Sequence, residues 1–281
     1  QLKTVLNENL REPLQDHPWY TVIVILIMIG AFTKSAQFPF HFWLPGAMTA
    51  PSPASAYLHS ATMVKAGIYL LFRLYDPLSG TDLWTFGLMG IGLTTMFIGA
   101  LFAIRKRDLK GLLAYSTVSK LGVIVALIGV PDGHGLKAAA ISIIAHALYK
   151  GTFFLLAGTI EHSTGTRNLD ELGGLRKKMP AVFIIAATVG LSMAGFPPLV
   201  GFAAKEFLLD ELLPYGDVTS NIPIIMAFIA SSFTVVAAML YVWDAFISTK
   251  NAKEYHHFHA PSPMMNAGPA MLAVASVVLG I

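Results

Sequence analysis

The fold is decided by residues 19–73, which read WYTVIVILIMIGAFTKSAQFPFHFWLPGAMTAPSPASAYLHSATMVKAGIYLLFR. An almost uninterrupted apolar run leads to Lys34, and Pro39 and Pro45 follow soon after it. A lysine at the centre of a membrane helix costs about 3 kcal/mol or more, and the prolines predict a helix break just beyond the charge. An ionisable group beside a broken helix is typical of an ion path, because freed backbone carbonyls help to hold the charge. The alternative is a helix-end lysine whose stem reaches the membrane surface.

The composition predicts an all-α protein, a polytopic bundle of membrane helices. Of the 281 residues, 55% are hydrophobic and only 12% are charged, against about 25% charged residues in soluble domains. The net charge of +3 does not indicate nucleic-acid binding, because the basic residues cluster in short loops, where they report topology. The absence of cysteine excludes disulfides, thiolate metal sites and a cysteine nucleophile within this chain.

Hydropathy and turn residues predict about eight spans in a single transmembrane domain over residues 1–281. The predicted spans are 18–46, 54–73, 84–104, 109–130, 136–160, 181–213, 222–248 and 264–281, the last of them truncated. Ser52 is the predicted N-cap of the second span. Because Gln1 is not an initiator and the last apolar run is shorter than the roughly 20 residues that cross a bilayer, we expect a piece of a longer protein.

A second break is predicted at residues 195–201, where Pro197 and Pro198 interrupt the sixth span. Lys205 and Glu206 follow this break, whereas Lys34 precedes the first one, so the combination of lysine and helix break occurs twice, in opposite order. Two broken segments, each with one lysine at membrane depth, are a sequence pointer to a transport site built from internal repeats.

The loops differ in positive charge according to the side on which the crossing count places them. Ten lysines and arginines fall on one side and four on the other. This bias predicts that loops 105–110, 167–178 and 250–253 are cytoplasmic.

Five further lysines lie within predicted spans, namely Lys34, Lys65, Lys120, Lys150 and Lys205. His146 is four residues before Lys150, so the two share one helix face. Several intramembrane charges together indicate a functional polar path. For Lys65 and Lys120, an equally weighted alternative is a position that faces the membrane interface or a partner. His59 taken alone is more typical of a histidine that packs in the interior.

Lysine and histidine suit proton transfer at membrane depth. Burial disfavours the charged form of an amine, so a buried lysine can take up and release a proton near neutral pH, where histidine already titrates. The polar residues predicted to support such a path are Thr33, Ser35, Ser60, Thr62, Ser116, Ser119, Tyr149 and Glu206. Carboxylates are scarce in the spans, so a Na⁺ path is expected to be completed elsewhere.

Four ordered motifs carry a resemblance to a known family. They are KSAQFPFHFWLPGAMTAPSPASAYLHSATMVKAGIY at 34–69, DLKGLLAYSTVSKLG at 108–122, HALYKGTFFLLAGTIEHSTGTR at 146–167 and GFPPLVGFAAKE at 195–206. They resemble the antiporter-like subunits shared by respiratory complex I and the Mrp-type multisubunit Na⁺/H⁺ antiporters. FHFWLPGAM and the lysine at 65 make the chain most similar to the branch formed by the Mrp-type A subunits.

The resemblance implies a core of fourteen helices with inverted five-helix repeats, of which this chain would run from before helix seven into helix fourteen. It implies that Lys34, His59, Lys110, His146, Lys150 and Lys205 are proton-translocation residues, and we predict Lys65 as a further member because it is one of the intramembrane lysines. The expected location is a prokaryotic plasma membrane. Lys34 and Lys205 match the lysines of the two broken helices, and the carboxylate partner of Lys34 is expected on an earlier helix outside this chain. The implied partners are the membrane and other membrane subunits of one complex. The implied transported ions are H⁺ and Na⁺, without bound cofactor, metal, nucleic acid or other substrate.

Other functions remain open at this point. The near alternative is the homologous proton-pumping subunit of an NADH:quinone oxidoreductase, and a more distant one is a structural membrane subunit without its own ion path. A membrane-embedded enzyme is disfavoured, since the sequence lacks an evident nucleophile–base pair, metal-ligand cluster or phosphate loop. His256, His257 and His259 could bind a metal, but a solvated loop is the preferred interpretation.

Overall fold

The computed structural model describes residues 14–213, 221–249, 255 and 258–281, and helices joined by short loops make up its regular structure. The helices are α1 Tyr20–Lys34, α2 Trp43–Gly46, α3 Ser52–Ser60, α4 Ala66–Arg73, α5 Tyr75–Leu78, α6 Asp82–Ala103, α7 Leu109–Ile128, α8 Gly135–Thr164, α9 Leu175–Lys178, α10 Pro180–Ala194, α11 Val200–Leu212, α12 Asn221–Met239 and α13 Pro263–Val278. Short 3₁₀ turns lie at Phe40–Phe42, Ala47–Thr49, Met63–Lys65 and Pro131–Gly133, and a π-helical turn at Leu240–Ile247 extends α12. The all-helical class predicted from composition is confirmed.

Four of the described helices are long and apolar enough to cross a membrane: Asp82–Ala103, Leu109–Ile128, Gly135–Thr164 and Asn221–Ile247. The shorter apolar helices are Tyr20–Lys34, Pro180–Ala194 and Pro263–Val278. Two of these shorter helices, α1 and α10, end at the predicted breaks, which is why neither reaches the length of a full span.

Helix α7 lies at the centre of the bundle. Most of its residues are buried, and α6 and α8 pack along it. The approach of α6 to α7 depends on small residues, since a Cβ at Gly99 would lie 2.5 Å from the backbone nitrogen of Ser119. Such small-residue contacts let membrane helices approach closely. Helix α8 then packs against α3, α10, α11 and α13, and the face that carries His146 and Lys150 is buried.

The two predicted breaks are present, with one correction. Helix α1 ends at Lys34 and α10 ends at Ala194, each just before a proline-containing segment. The backbone N–H of Phe38 in the first break is satisfied by the hydroxyl of Thr95 at 2.9 Å, as irregular backbone at membrane depth requires. Pro45, however, does not break a helix: it lies in the first turn of α2, a position that needs no N–H donor.

A third break interrupts the segment 54–73, which is predicted as one span. Helix α3 ends at Ser60, a 3₁₀ turn covers Met63–Lys65, and α4 begins at Ala66. Residues 61–65 contain no proline or glycine, so the sequence carries no signal for this break. The expected N-cap is also wrong, because Ser52 is the first helical residue and Pro51 occupies the cap position without a side-chain hydrogen bond.

The basic loops 105–110 and 167–178 meet at one end of the bundle. The backbone N–H of Leu109 donates to Arg167 at 3.0 Å, and that of Leu169 donates to Arg107 at 2.7 Å. Arg107 pairs with Asp170 at 2.9 Å. Their common location agrees with the charge bias of the sequence. Lys250 and Lys253, which the same prediction places on this side, lie outside the described residues, as do His256 and His257.

Candidate functional site

Lys150 lies at the centre of the candidate site, in the middle of α8, and is fully buried. Its Nζ donates to the backbone carbonyl of Leu113 at 3.1 Å and to the hydroxyl of Ser116, both on α7. Ser116 is four residues before Lys120 on α7, so these two side chains lie on one face. A buried amine between neutral oxygens can give up a proton without leaving an unpaired anion beside it.

His146 and Lys65 form a direct nitrogen–nitrogen contact one turn before Lys150. The Nζ of Lys65 lies 3.2 Å from Nδ1 of His146, and either atom can donate, depending on which holds the proton. Both side chains are buried. Lys65 reaches this position because the break between α3 and α4 turns it towards α8. Of the two placements that the sequence left open for Lys65, the structure shows the inward one.

A cavity lies between α6, α7, α8, α10, α11 and α12 on the other side of Lys150. Its volume is about 30 Å³, enough for a water molecule. The polar side chains that line it are Ser116, Ser119, Lys120, Tyr149, Ser192, Lys205, Ser231 and Thr234. Ser116 therefore touches Lys150 and also lines the cavity that Lys120 and Lys205 share. The sequence predicts Ser116, Ser119, Tyr149 and Lys205 for the site, and the structure brings them together.

Lys205 lies at the second broken helix, and its Nζ donates to the carbonyl of Ala194 at 2.8 Å. Ala194 is the last residue of α10, where the helix dipole favours a cation. Gly195 makes this contact possible in two ways: its φ of +80° suits glycine, and a Cβ there would lie 2.5 Å from Cδ of Lys205. The break therefore positions the lysine stem against the end of α10.

His59 is buried against the ring of Phe154, with centroids 5.6 Å apart. Within the described part of the chain neither ring nitrogen has a hydrogen-bond partner. The histidine lies beside α8 but outside the direct contact line. Nε2 of His146 and the hydroxyl of Ser142, one turn earlier on the same face of α8, also lack a partner among the described residues.

Lys34 and Glu206 are exposed, so the structure does not bring them into this site. Lys110 lies at the end of the bundle with the basic loops, where its Nζ is 3.2 Å from Glu161 and donates to the carbonyl of Ala50 at 3.2 Å. The ion pairs found in the described ranges all lie at that end, and none of them involves Lys65, Lys150 or Lys205.

The other predicted hydroxyls, and that of Ser119, form hydrogen bonds to backbone groups. Ser60 and Ser119 donate to the carbonyls of Ala56 and Met96, and Thr33 and Thr62 donate to those of Gly30 and Tyr57. The Ser35 hydroxyl accepts from the backbone N–H of Ile68 at 3.1 Å and so fastens α1 to α4. These contacts support the breaks more than they extend the line of amines.

Sequence reasoning missed Ser142, Ser231 and Thr234, and it left Lys120 undecided. Ser142 carries a detectable signal, since it precedes His146 by four residues. Ser231 and Thr234 carry none, because α12 contains no charge to mark an inward face. No group of three or more histidine or carboxylate side chains that could hold a metal occurs in the described portions of the chain.

The sequence is similar to a protein family and to curated relatives along most of its length. Residues 3–234 match the family model described as NADH:quinone oxidoreductase/Mrp antiporter, TM. The A/B subunit of a probable K⁺/H⁺ antiporter from Rhizobium meliloti is 43% identical over 277 residues, which cover 96% of this chain and 27% of that protein. The A1 subunit of a Na⁺/H⁺ antiporter from Staphylococcus saprophyticus is 42% identical over 294 residues, which cover 97% of this chain and 36% of that protein.

Two solved structures are similar over nearly the whole chain. The Mrp complex from Dietzia sp. DQ12-45-1b gives a TM-score of 0.85 at 42% identity, covering 95% of this chain and 29% of its counterpart. The membrane-bound sulfane sulfur reductase, an archaeal respiratory membrane complex, gives a TM-score of 0.82 at 26% identity. The match covers 94% of this chain and 47% of the chain in that complex. The chain thus spans about a third of the length of the curated relatives it matches.

Proposed function

Because the chain belongs to the NADH:quinone oxidoreductase/Mrp antiporter transmembrane family, we propose that it is part of the A subunit of a multisubunit cation/proton antiporter. Its part in that exchange is to move protons along the buried lysine and histidine side chains. The exchanged cation is Na⁺ or K⁺, since relatives of similar identity are named for each. The expected role is transport and not an enzymatic conversion.

The observation that carries this proposal is one line of contacts through the bundle. It begins at Lys65 and His146, whose nitrogens lie 3.2 Å apart. It continues one turn along α8 to Lys150, which donates to Ser116. It ends in the cavity that Lys205 lines.

Each neighbour in this line can accept a proton that the previous one releases. A proton on Lys65 can pass to Nδ1 of His146 in their direct contact. The step from His146 to Lys150 spans one helical turn and needs a bridging water. From Lys150, the Ser116 hydroxyl can relay a proton to water in the cavity and on to Lys205. A lysine that gains a proton repels the next one, so occupancy changes propagate along the line.

The proposed orientation places the basic loops in the cytoplasm of a prokaryotic plasma membrane. The support is the positive-inside bias and the meeting of loops 105–110 and 167–178 at one end of the bundle. The proposed partners are the other membrane subunits of the complex. Lys34, exposed on the described surface, is a candidate to face one of the surrounding helices.

A second candidate is a proton-pumping subunit of an NADH:quinone oxidoreductase or related respiratory complex. The specific support is the similarity to the archaeal respiratory complex at a TM-score of 0.82. The two candidates predict different driving forces, because an antiporter exchanges cations for protons without NADH. A third possibility, a purely structural subunit, predicts that the buried lysines can be replaced with transport intact.

The deciding experiment is cation/proton exchange in everted vesicles that carry the complete complex, with Na⁺ or K⁺ added and no NADH. The wild type is expected to exchange, Lys150→Ala to lose exchange while the complex still assembles, and Lys137→Ala, an exposed lysine on the same helix, to behave as wild type. Exchange only with NADH would favour the respiratory candidate. Unchanged exchange in Lys150→Ala would indicate that this region is structural and has no proton path of its own.

A further inference from the structure

The end of α12 departs from α-helical geometry. Residues Leu240–Ile247 form a π-helical turn, and the backbone N–H of Ser248 donates to the carbonyl of Trp243, five residues back, at 2.8 Å. Such wide turns are rare and occur frequently at functional sites. One residue more in a turn rotates the preceding helix by about 100° relative to the residues beyond the turn. The turn therefore determines which face of α12 points into the bundle.

Tyr241 anchors one end of this turn to α8. Its hydroxyl donates to the carbonyl of Phe153 at 3.0 Å, and the two rings lie 4.5 Å apart. Phe153 is three residues beyond Lys150, on the helix that carries the central amine. Tyr241 is fully buried, so this contact is part of the packed interior.

Asp244 anchors the turn in a second direction. Its carboxylate accepts from Arg107 at 3.0 Å, and Arg107 also bonds to Asp170 in the neighbouring loop. Tyr241 and Asp244 are three residues apart and reach different elements, α8 and the loop before α7. The widened turn allows both contacts at once.

The part of α12 that precedes the turn forms a wall of the cavity. Thr234 is seven residues before Tyr241, which is two helical turns, so the two lie on one face. Ser231 and Thr234 line the cavity together with Lys120 and Lys205. The rotational setting at Tyr241 therefore decides whether these two hydroxyls face the lysines.

We propose that Tyr241 and Asp244 are positioning residues, whose contacts with Phe153 and Arg107 hold the π-helical turn so that Ser231 and Thr234 face the cavity between Lys120 and Lys205. This inference rests on the proposed proton path. It adds that the rotation of α12 before the turn controls which groups can hold water in the cavity. Loss of either anchor lets the turn return to α-helical bonding, and the hydroxyls then rotate relative to the lysines.

The test uses the complete complex with Tyr241→Phe and Asp244→Asn. Each is expected to lower exchange per assembled complex by about tenfold, because a misplacement of about 1 Å can cost up to about 100-fold in rate and each variant keeps the other anchor. Tyr20→Phe is the matched control, since its buried hydroxyl donates to the Leu78 carbonyl at 2.7 Å, away from the cavity. Asp170→Asn, which removes the other partner of Arg107, is the control for Asp244→Asn. Both controls are expected to stay within twofold of wild type.

A second readout reports rotation directly. Because the chain has no cysteine, Thr234→Cys can be labelled with a maleimide, and Phe228→Cys on the exposed side of α12 serves as reference. The anchor variants are expected to change labelling at position 234 at least threefold and to leave position 228 unchanged. If maleimide labelling at position 234 is unchanged in an anchor variant, that anchor does not have the proposed role. The same conclusion follows if the control variant loses as much exchange as the anchor variant. If Lys150→Ala retains exchange in the same vesicles, the proposed function fails instead.

Discussion

Lysines of two kinds occur on the neighbouring helices α7 and α8. Lys110, at the end of the bundle with the basic loops, has the carboxylate of Glu161 at 3.2 Å. Lys150, in the middle of the bundle, forms hydrogen bonds among the described residues only to a carbonyl and a hydroxyl. Both are buried, so burial alone does not distinguish them. The difference lies in whether a fixed negative charge accompanies the amine.

This difference indicates two roles. A buried lysine paired with a carboxylate is part of a charge pair that is costly to break, because removing one partner leaves the other charge uncompensated. A lysine among neutral groups has no such constraint and can alternate between protonated and neutral forms. We therefore expect the loop-end ion pairs to hold the structure and the central amines to carry protons.

The largest effect among the tests of this contrast is expected from His146→Ala. The substitution removes the direct partner of Lys65 and interrupts the line, so exchange per assembled complex should fall about 100-fold or more, the range for loss of a proton-transferring group. His162→Ala, an exposed histidine on the same helix, should leave exchange unchanged. Exchange within threefold of wild type in His146→Ala would remove this residue from the path.

Ser116→Ala should give an intermediate effect. It removes the hydroxyl between Lys150 and the cavity, and exchange should fall about tenfold, since a water molecule can partly replace the hydroxyl. Ser232→Ala is a suitable control, because Ser232 makes the same kind of bond to the carbonyl four residues back but lies exposed on α12. An equal loss in both variants would show a general effect on helix packing.

Glu161→Gln should affect stability more than transport. It leaves buried Lys110 without its carboxylate and lowers the free energy of unfolding by about 2 kcal/mol, below the 3–5 kcal/mol for fully buried pairs because Glu161 is 40% exposed. Thermal melting of the purified complex measures this, with Asp210→Asn as an exposed control. A per-complex loss of exchange as large as that of His146→Ala would instead place Lys110 in the proton line, as the resemblance implies.

Asp170→Asn should have the smallest effect. The Arg107–Asp170 pair is largely exposed, with side chains 38% and 54% accessible, and such pairs contribute about 1 kcal/mol or less. Arg107 also keeps Asp244 as a partner. Melting of this variant should shift less than that of Glu161→Gln, and a larger shift would mean that the loop network acts as a unit.

Much of the architecture was readable from the sequence. Composition indicated the helical membrane class, and the prolines marked the breaks after Lys34 and before Lys205. The four motifs identified the family, which the comparisons confirm. These features are local in the chain, or they repeat a known order of motifs, so a single sequence reveals them.

The sequence did not reveal features that depend on packing between helices. The break between α3 and α4 has no proline or glycine, and it arises where α4 packs against α1 through Gly67, whose Cβ would clash with the carbonyl of Ala31. The cavity is lined by residues of six helices, and its wall on α12 consists of residues without charge. Lys34 is exposed and Lys205 is half-buried because of what packs beside each lysine, although their sequence patterns are alike.

The most direct measurement of the central claim is exchange by the complete complex carrying Lys150→Arg, with Lys137→Arg as control. Arginine keeps the positive charge at this site but does not release its proton at working pH. If Lys150 must lose and regain a proton, Lys150→Arg should abolish exchange in assembled complexes while Lys137→Arg exchanges as wild type. Preserved exchange in Lys150→Arg would show that only the charge is needed there and would contradict the proton path through the centre of the bundle.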